Sequence, residues 1–292
     1  MNKGSFFVLN SQKKYLSLWV GMKKFLYIAL VLVVCLSSCA PSNKEQAENM
    51  LLRASSLYTS DSLNSAKILL DSIHSVFPNE VEVRKNASSL MNKIEYKENT
   101  RNLVYFDSLF IVVKEKYDSA AANYTIGDTL YSSKKVYTHK KRSKNYYPRT
   151  NLIAEVQENG DLNLISVYSG KKLEHDSVKV SFSDLYANTL TVPTSSAYNY
   201  SFTDMGVNWE YVTFTQKNLN NLLGFIVLYS DKLLTVSLYG DKTYNYFLEK
   251  EDKNILIETF YFAQAKKELY TIEKNIKTTK NKIKWLEEKL YQ

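Results

Sequence analysis

Apolar residues recur at steps of three and four in two long segments that contain neither proline nor glycine, residues 79–120 and 252–290. In the second segment the core positions follow a heptad pattern over four repeats, through Phe262, Ala265, Leu269, Ile272, Ile276, Thr279, Ile283, Leu286 and Leu290. This spacing predicts two long helices, and the heptads predict a coiled coil. Because the two helices flank everything between them and match in length, we predict that they pair antiparallel as a stalk. A homodimer through the C-terminal helix is the alternative.

The segment between these helices, residues 121–250, has the short runs of tyrosine, valine, threonine and phenylalanine that are typical of β-strands. Its clearest element is NLIAEVQENGDLNLISVY, in which Asn159 and Gly160 predict a two-residue turn between two strands. Further strands are predicted at residues 177–182, 189–192, 197–203, 207–215, 222–229, 233–239 and 243–248. So many strands at short spacing predict an antiparallel sandwich or an open barrel.

Ahead of the first long helix, residues 47–78 predict two shorter helices. Ala54 and Ala66 stand where the two helices would touch, and Pro78 ends the second one. The pattern resembles one tetratricopeptide unit, but no second copy follows. Since such repeats bury their cores by stacking, we expect a cap packed on another part of the chain, with a peptide-binding groove as the alternative.

The overall prediction is therefore an α+β chain in three folded parts. Residues 47–120 form the helical hairpin and the first stalk helix, residues 121–250 the β domain, and residues 251–292 the C-terminal coiled-coil helix.

The first 39 residues carry a targeting pattern. The stretch MKKFLYIALVLVVCLSSC has two lysines, an apolar run from Phe25 to Leu36, and two serines before Cys39. The run is shorter than the roughly 20 residues of a membrane span, so the layout predicts a secretory signal peptide at residues 1–38, with a start at Met22. Its last four positions resemble the lipobox of bacterial lipoproteins, which implies that Cys39 is acylated and becomes the first mature residue. The alternative is a buried cysteine at the end of a core helix.

Cleavage before Cys39 changes the charge of the chain. The whole sequence has 38 basic and 30 acidic residues, and removal of five leader lysines leaves a net charge of +3. This small excess does not indicate nucleic-acid binding. Cleavage also removes Cys35, which excludes disulfides and cysteine-based metal sites. Residues 39–46 are expected to be a lipidated tether on the outer membrane of a Gram-negative bacterium, facing the periplasm or the cell surface.

Residues of the kinds that catalysis uses are few. His74, His139 and His175 lie in three different segments and are expected on the surface. No metalloprotease, hydrolase or phosphate-loop motif is present, and no metal or cofactor is predicted. The acids that a hydrolase would have to bring together are Asp184, Asp204, Glu210 and Asp231. We expect them to serve turns and caps instead.

Two segments are suited to binding. The stretch THKKRSKNYYPR, residues 138–149, offers as candidate ligand-binding residues Lys140, Lys141, Arg142, Lys144, Tyr146 and Tyr147. Charge and ring stacking suit them to an anionic polysaccharide, a lipid phosphate or an acidic protein, with a mobile, solubilising loop as the alternative. In GVNWEYVTFT, Trp209 and Tyr211 are predicted to share a face, which we expect to be core rather than a sugar platform.

Six of the twelve aspartates are followed by Ser or Thr and then by an apolar residue. About one such triplet is expected from composition. The triplet resembles the acceptor of a protein O-glycosylation system of Gram-negative bacteria with many surface lipoproteins. The resemblance implies modification at Ser62, Ser72, Ser108, Ser119, Thr129 and Ser177. Helix capping is the alternative explanation for the triplet at Asp61.

Together these features predict a non-enzymatic lipoprotein of the cell envelope whose stalk presents a β head to a protein or polysaccharide partner. The alternative is a hydrolase of envelope polysaccharide or peptidoglycan that uses carboxylates of the β domain. A convergent pair of acids in an open cleft would favour the hydrolase, whereas acids confined to turns would favour the binding protein.

Overall fold

The computed structural model of the protein describes residues 42–129, 132–144 and 149–291. In these residues the fold is mixed α and β, with six helices and with ten strands in two antiparallel sheets. The predicted α+β class is therefore confirmed. The described chain divides into two compact units, one of residues up to Lys97 together with those from Leu286 onward, the other of Glu98–Trp285. The predicted signal peptide and Cys39 lie outside the described residues.

Three helices build the core of the first unit. They are α1 (Asn43–Thr59), α2 (Leu63–Val76) and the first part of α3 (Val81–Ala121). The hydroxyl of Ser42 caps α1 by accepting the N–H of Glu45 at 3.2 Å, which satisfies one of the free amides of the first turn. Ala54 and Ala66 are fully buried in this core. Because alanine has the smallest side chain of the helix formers, these two positions let α1 and α2 pack closely.

The two long helices predicted from the repeat pattern are confirmed. Helix α3 and helix α6 (Lys250–Leu290) have 41 residues each. In the second unit, Val113 of α3 packs with Leu269 and Ile272 of α6. Three residues further along α3, the Lys116 ammonium pairs with the Glu268 carboxylate at 3.0 Å. Because residue numbers rise along one helix while they fall along the other, the two helices run antiparallel in this unit.

The ten strands lie between Tyr124 and Phe247, within the segment that the sequence predicts to be β. They are β1 (Tyr124–Thr129), β2 (Ser132–His139), β3 (Asn151–Gln157), β4 (Leu162–Gly170), β5 (Ser177–Phe182), β6 (Leu185–Asn188), β7 (Asn199–Asp204), β8 (Val207–Phe214), β9 (Thr235–Tyr239) and β10 (Thr243–Phe247). The larger sheet has the order β1-β2-β3-β4-β8-β7, and the smaller sheet has the order β10-β9-β5-β6. Two short helices, α4 (Lys140–Lys144) and α5 (Leu222–Leu228), interrupt the strands.

Two of the predicted strands are wrong. Residues 222–228 form helix α5, which buries Leu222, Leu223 and Ile226. A short apolar run fits a strand or a buried helix equally well, so its pattern did not separate the two. Residues 189–192 form no strand, although the Thr189 and Val192 amides still bond to carbonyls of residues 178 and 176.

The hairpin between β3 and β4 forms as predicted, but its turn is not the predicted two-residue one. The N–H of Gly160 donates to the carbonyl of Gln157 at 2.9 Å, and Gly160 has a φ of +83°. This is a three-residue connection with a glycine in the left-handed region. A Cβ at Gly160 would also lie 2.5 Å from the backbone of Lys267, so the close approach of α6 requires glycine here as well.

Inward-facing residues of both sheets belong to one hydrophobic core. It includes, from the larger sheet, Leu152, Ala154, Val156, Leu164, Val212 and Phe214, and from the smaller sheet Val178, Val180, Val236 and Leu238. Helix α5 and residues Leu256 and Phe262 of α6 complete this core.

Candidate functional site

The basic segment 138–149 contains the end of β2 and helix α4. Lys140 and Lys141 are exposed and Arg142 is half-buried. Arg149 lies against α6, where its guanidinium pairs with Asp252 at 2.8 Å and with Glu249 at 3.1 Å. The Lys144 side chain, together with Tyr146 and Tyr147, lies outside the part of the chain that the structure describes.

A cavity of about 430 Å³ lies beside this segment, within the second unit. Residues of α3, β1, β2, α4 and α6 line it, including Lys116, Tyr124, His139, Lys140, Lys141, Glu258, Tyr261 and Phe262. Its volume lies within the range of small-molecule sites, about 300–1,000 Å³. Two of the six predicted ligand-binding residues therefore border a cavity large enough for a small ligand or one unit of a polymer.

Three aromatic side chains line the cavity, of which Tyr261 is exposed, whereas Tyr124 and Phe262 are buried beneath it. The rings of Tyr124 and Phe262 stack with centroids 3.9 Å apart, and the Tyr124 hydroxyl donates to Thr259 Oγ1 at 3.3 Å. Burial raises the pKa of Tyr124 to about 12, and the hydrogen bond to Thr259 lowers this pKa by a smaller amount than burial raises it. The phenol is therefore neutral at physiological pH and stays a hydrogen-bond donor.

Charged groups form the rim. The Lys140 ammonium donates to the carbonyl of Ala122 at 2.6 Å, near the C-terminal end of α3, where a helix dipole favours a cation. Lys116 and Lys141 add two more basic side chains to the lining, and Glu258 adds one acidic side chain. Since Lys116 already pairs with Glu268 at 3.0 Å, Lys140 and Lys141 against Glu258 leave the lining basic in balance, and the exposed ring of Tyr261 adds an apolar face.

His139 connects α4 to the lining of the cavity. It is 2 % exposed, and its Nε2 lies 2.9 Å from Glu258 Oε2. The N–H of Lys141 donates a hydrogen bond to its Nδ1 at 3.3 Å. In the neutral ring Nε2 therefore carries the proton, and this N–H donates a hydrogen bond to Glu258. The expectation that the histidines lie on the surface is wrong for His139 and also for His175, which is fully buried.

His175 belongs to a second polar cluster, which sequence reasoning missed. Its Nδ1 lies 2.7 Å from Glu210 Oε2 on β8, and its Nε2 lies 3.0 Å from Ser166 Oγ on β4. The cluster could have been found in the sequence as polar residues at inward-facing positions of two strands. Ser166 follows Leu164 on the inward face of β4, and Glu210 precedes Val212 on the inward face of β8. The three side chains stand in the order serine, histidine, acid that serine hydrolases use.

The burial and bonding of Glu210 argue against catalysis by this cluster. Ser166 and His175 are fully buried, and Glu210 is 1 % exposed, so no substrate can reach the hydroxyl in this conformation. Glu210 also accepts the backbone N–H groups of Leu173, Glu174 and His175 at 2.7–2.9 Å. Burial would raise the pKa of Glu210, but the hydrogen bonds from His175 and from these amides lower it to about 2. The cluster thus holds the loop between β4 and β5.

The other acids of the predicted hydrolase set do not join Glu210. Asp184 lies between β5 and β6, and Asp204 ends β7 at the turn into β8. Asp231 pairs with its neighbour Lys232 at 2.7 Å. Across residues 42–129, 132–144 and 149–291, histidine, cysteine, aspartate and glutamate form no group of three that could hold a metal ion.

Trp209 and Tyr211 lie on one face of β8, as predicted, but the expectation that this face is core is wrong. Both are half-buried, on the face opposite Glu210. The edge strand β7 adds Tyr200 and Phe202 opposite Tyr211 and Trp209. The rings of Phe202 and Tyr211 are nearly parallel, with centroids 6.1 Å apart.

The predicted glycosylation positions fall in different environments. Ser62 lies in the exposed turn between α1 and α2, in a non-helical conformation. Ser72 and Ser108 are helical, and their hydroxyls donate to the carbonyls of Ile68 and Val104 at 2.8 and 2.9 Å. The remaining three positions are Ser119 in α3, Ser177 in β5 and Thr129 at the end of β1, whose side chain lies outside the described part.

Comparison of the chain with protein-family models, with curated proteins and with solved structures found no match. None of the described helices combines the length and the apolar character that crossing a membrane requires.

Proposed function

We propose that this protein is a lipid-anchored binding module of the cell envelope and that it has no enzymatic activity. The observation that carries the binding role is the cavity of about 430 Å³ whose rim holds Lys116, Lys140 and Lys141. The anchor rests on the sequence, in which an apolar leader ends at Cys39. Acylation there would hold the protein on the outer membrane of a Gram-negative bacterium, since each buried methylene contributes about 0.8 kcal/mol.

The chemistry of the cavity favours an anionic ligand with a ring. Lys140 and Lys141 supply charge to a carboxylate or a phosphate, and the ring of Tyr261, which is 54 % exposed, supplies an apolar face. A uronic acid unit of a polysaccharide and a lipid phosphate both have this anionic character, and the exposed ring favours the sugar.

The test compares the purified full-length protein with two double variants. K140Q/K141Q removes two charges from the rim, and K274Q/K277Q removes two exposed charges of α6 that do not line the cavity. We expect binding of oligogalacturonate to weaken at least tenfold in the first variant only, because each lysine charge contributes about 1 kcal/mol to such contacts. Glycerol phosphate is the second probe, and stronger binding of it would assign the site to a lipid headgroup.

Equal binding by the wild type and K140Q/K141Q, or equal losses in both variants, would contradict the proposed site. The anchor has its own test. The intact mass of the protein from its own host should show the chain from Cys39 with added acyl groups, and C39A should retain its leader.

We propose the finer architecture on similar grounds. A tetratricopeptide-like hairpin is supported by the full burial of Ala54 and Ala66, and a sandwich by the shared core of the two sheets. The antiparallel contacts of Val113 and Lys116 support a coiled-coil stalk. Among the glycosylation positions, Ser62 is the best acceptor, because its turn is exposed and non-helical.

A further inference from the structure

The turn between β7 and β8 exposes an apolar side chain in a backbone conformation that disfavours it. Met205 and Gly206 form this two-residue turn, since Asp204 and Val207 pair on either side of it. Their φ values are +47° and +80°, the pattern of a type I′ turn, which prefers asparagine, aspartate or glycine at its first position. Met205 holds that position, and it is 97 % exposed.

This use of an apolar residue is unlike the other left-handed positions of the chain. Among the described residues, the other non-glycine positions with positive φ are all polar, namely Asp61, Glu174, Ser183, Asn220 and Asn221. Positive φ is uncommon for a bulky side chain, and outliers of this kind concentrate at sites of contact and function. Since Met205 is almost wholly in solvent, the fold gains no core contact from it.

The hairpin that ends at Met205 has an apolar outward face. Tyr200 and Phe202 of β7 and Val207 and Trp209 of β8 lie on this face, because Phe202 pairs with Trp209 and side chains two residues apart share a face. Tyr200, Phe202 and Val207 are 61, 39 and 38 % exposed. Single exposed apolar residues are common, whereas a contiguous group marks a contact surface. We call these four residues together with Met205 the hairpin tip.

The opposite face of the hairpin is polar and is fixed to the body of the second unit. Ser201 and Thr203 of β7 and Asn208 of β8 lie on it. The Asn208 side-chain amide donates to Glu210 Oε1 at 2.9 Å, and Glu210 belongs to the buried cluster that holds the β4–β5 loop. The hairpin is therefore held from one side, while its apolar face and its turn are open to contact.

Two features limit how deeply the hairpin tip can enter an apolar phase. Strand β7 is an edge of the larger sheet, and the open edge of a sheet does not enter the hydrocarbon of a bilayer, because its backbone N–H and C=O groups need water. Asp204 and the buried Glu210 are the only charged residues between Asn199 and Phe214, and Asp204 is exposed beside the turn. Both features suit the headgroup layer of a membrane, where tryptophan and tyrosine also concentrate.

We propose that the hairpin tip is a second membrane contact of this protein, in the headgroup layer of the bilayer that carries the lipid anchor. Met205 and Val207 enter deepest, and Tyr200 and Trp209 lie at the boundary with water. A sugar would stack on the rings and leave the exposed methionine without a role, whereas a lipid surface accepts both the apolar turn and its aromatic flanks. The inference rests on the proposed anchor only for the presence of a bilayer.

The position of residue 205 on vesicles tests the contact. The full-length chain with Cys35 and Cys39 changed to serine cannot be acylated, and its apolar leader holds every variant on vesicles of phosphatidylcholine and phosphatidylethanolamine. M205C, labelled with an environment-sensitive fluorophore, should lose emission to lipids that carry a nitroxide in the headgroup, and labelled S183C should not. Ser183 is the matched control, since it is also the first residue of a two-residue turn and has positive φ. Equal quenching at both positions, or none at residue 205, would overturn the proposal and would leave the anchor untouched.

Asparagine at residue 205 separates the contact from the fold. Because type I′ turns favour asparagine at this position, the urea midpoint of M205N should not fall. With Trp19 and Trp285 changed to phenylalanine, Trp209 is the remaining tryptophan, and its quenching by the same lipids reports docking. We expect the ratio of docked to free hairpin to fall about tenfold in M205N, the effect of removing one buried methionine side chain. S183N should leave this quenching unchanged. Undiminished quenching of Trp209 in M205N would contradict the contact.

Lipid charge gives a third test. Replacement of phosphatidylcholine by the anionic phosphatidylglycerol should not increase quenching at residue 205, because Asp204 is the exposed charge of the hairpin and an anionic surface repels it. An increase would assign the membrane contact to basic residues elsewhere in the chain and would overturn the role of the hairpin tip.

Discussion

The second unit contains two histidine–glutamate pairs with nearly equal geometry and different surroundings. His175 and Glu210 are 2.7 Å apart, and His139 and Glu258 are 2.9 Å apart. The Glu210 side chain is 2 % exposed and accepts five hydrogen bonds, whereas the Glu258 side chain is 43 % exposed and borders a cavity. A carboxylate has about four lone-pair positions. Glu210 therefore has no position left to accept a hydrogen bond from a ligand, whereas Glu258 has.

The two pairs consist of the same residue types, and their surroundings give them different roles. The pair that resembles catalytic machinery holds a loop, because every polar atom is already bonded within the chain. The pair that looks ordinary lies next to lysines and aromatic rings at an accessible cavity, where a ligand could be bound. Variants of the two carboxylates and of Ser166 test this difference.

The largest effect is expected from E210Q. The glutamine removes the negative charge and turns an amide group toward backbone N–H donors, so the buried donors of the β4–β5 loop lose an acceptor. We expect a loss of about 3–5 kcal/mol in the free energy of unfolding, measured by urea denaturation at pH 7, because an amide nitrogen in place of one oxygen leaves two buried donors without an acceptor at about 1–3 kcal/mol each. A loss below about 1 kcal/mol would show that the cluster does not hold the loop.

The pH dependence of that loss is the second prediction. Folding lowers the pKa of Glu210 from its ordinary 4.5 to about 2. The stabilisation is therefore fully present above pH 4.5 and is lost as the pH falls from 4.5 through 2. The difference between the wild type and E210Q, followed by urea denaturation from pH 7 to pH 3, should shrink below pH 4.5. A difference that grows on acidification would contradict the sign of the shift.

A smaller effect is expected from S166A. The alanine leaves His175 Nε2 buried without its hydroxyl partner, and an unsatisfied buried acceptor costs about 1–3 kcal/mol. Urea denaturation at pH 7 should place this variant between the wild type and E210Q. Destabilisation equal to that of E210Q would mean that the serine, rather than the carboxylate, organises the cluster.

The smallest effect is expected from E258Q. The Glu258 side chain is 43 % exposed, and glutamine can still accept the hydrogen bond from His139 Nε2. We expect a loss below about 1 kcal/mol, the usual range for exposed ion pairs, in the same denaturation assay. A loss as large as that of E210Q would make both pairs structural and would weaken the case for the cavity.

The accuracy of the sequence-based predictions follows the distance over which each interaction acts. The long helices were predicted to within two residues of their observed ends, because helical periodicity is a local property repeated over ten turns. The strand predicted at residues 222–229 was wrong, since seven apolar residues hold too few periods to separate a strand from helix α5. The candidate cavity was predicted in part, through Lys140 and Lys141.

Local sequence was enough to place the two long helices, the heptad face of α6 and the glycine at the β3–β4 turn, because each of these depends on neighbours along the chain. Which polar residues are buried follows instead from the packing of elements that are distant in sequence. Glu210 is 35 residues from His175, and Glu258 is 119 residues from His139. The environment of each carboxylate, closed for one and open for the other, depends on how the sheets and α6 pack around it, and local sequence carries no record of that packing.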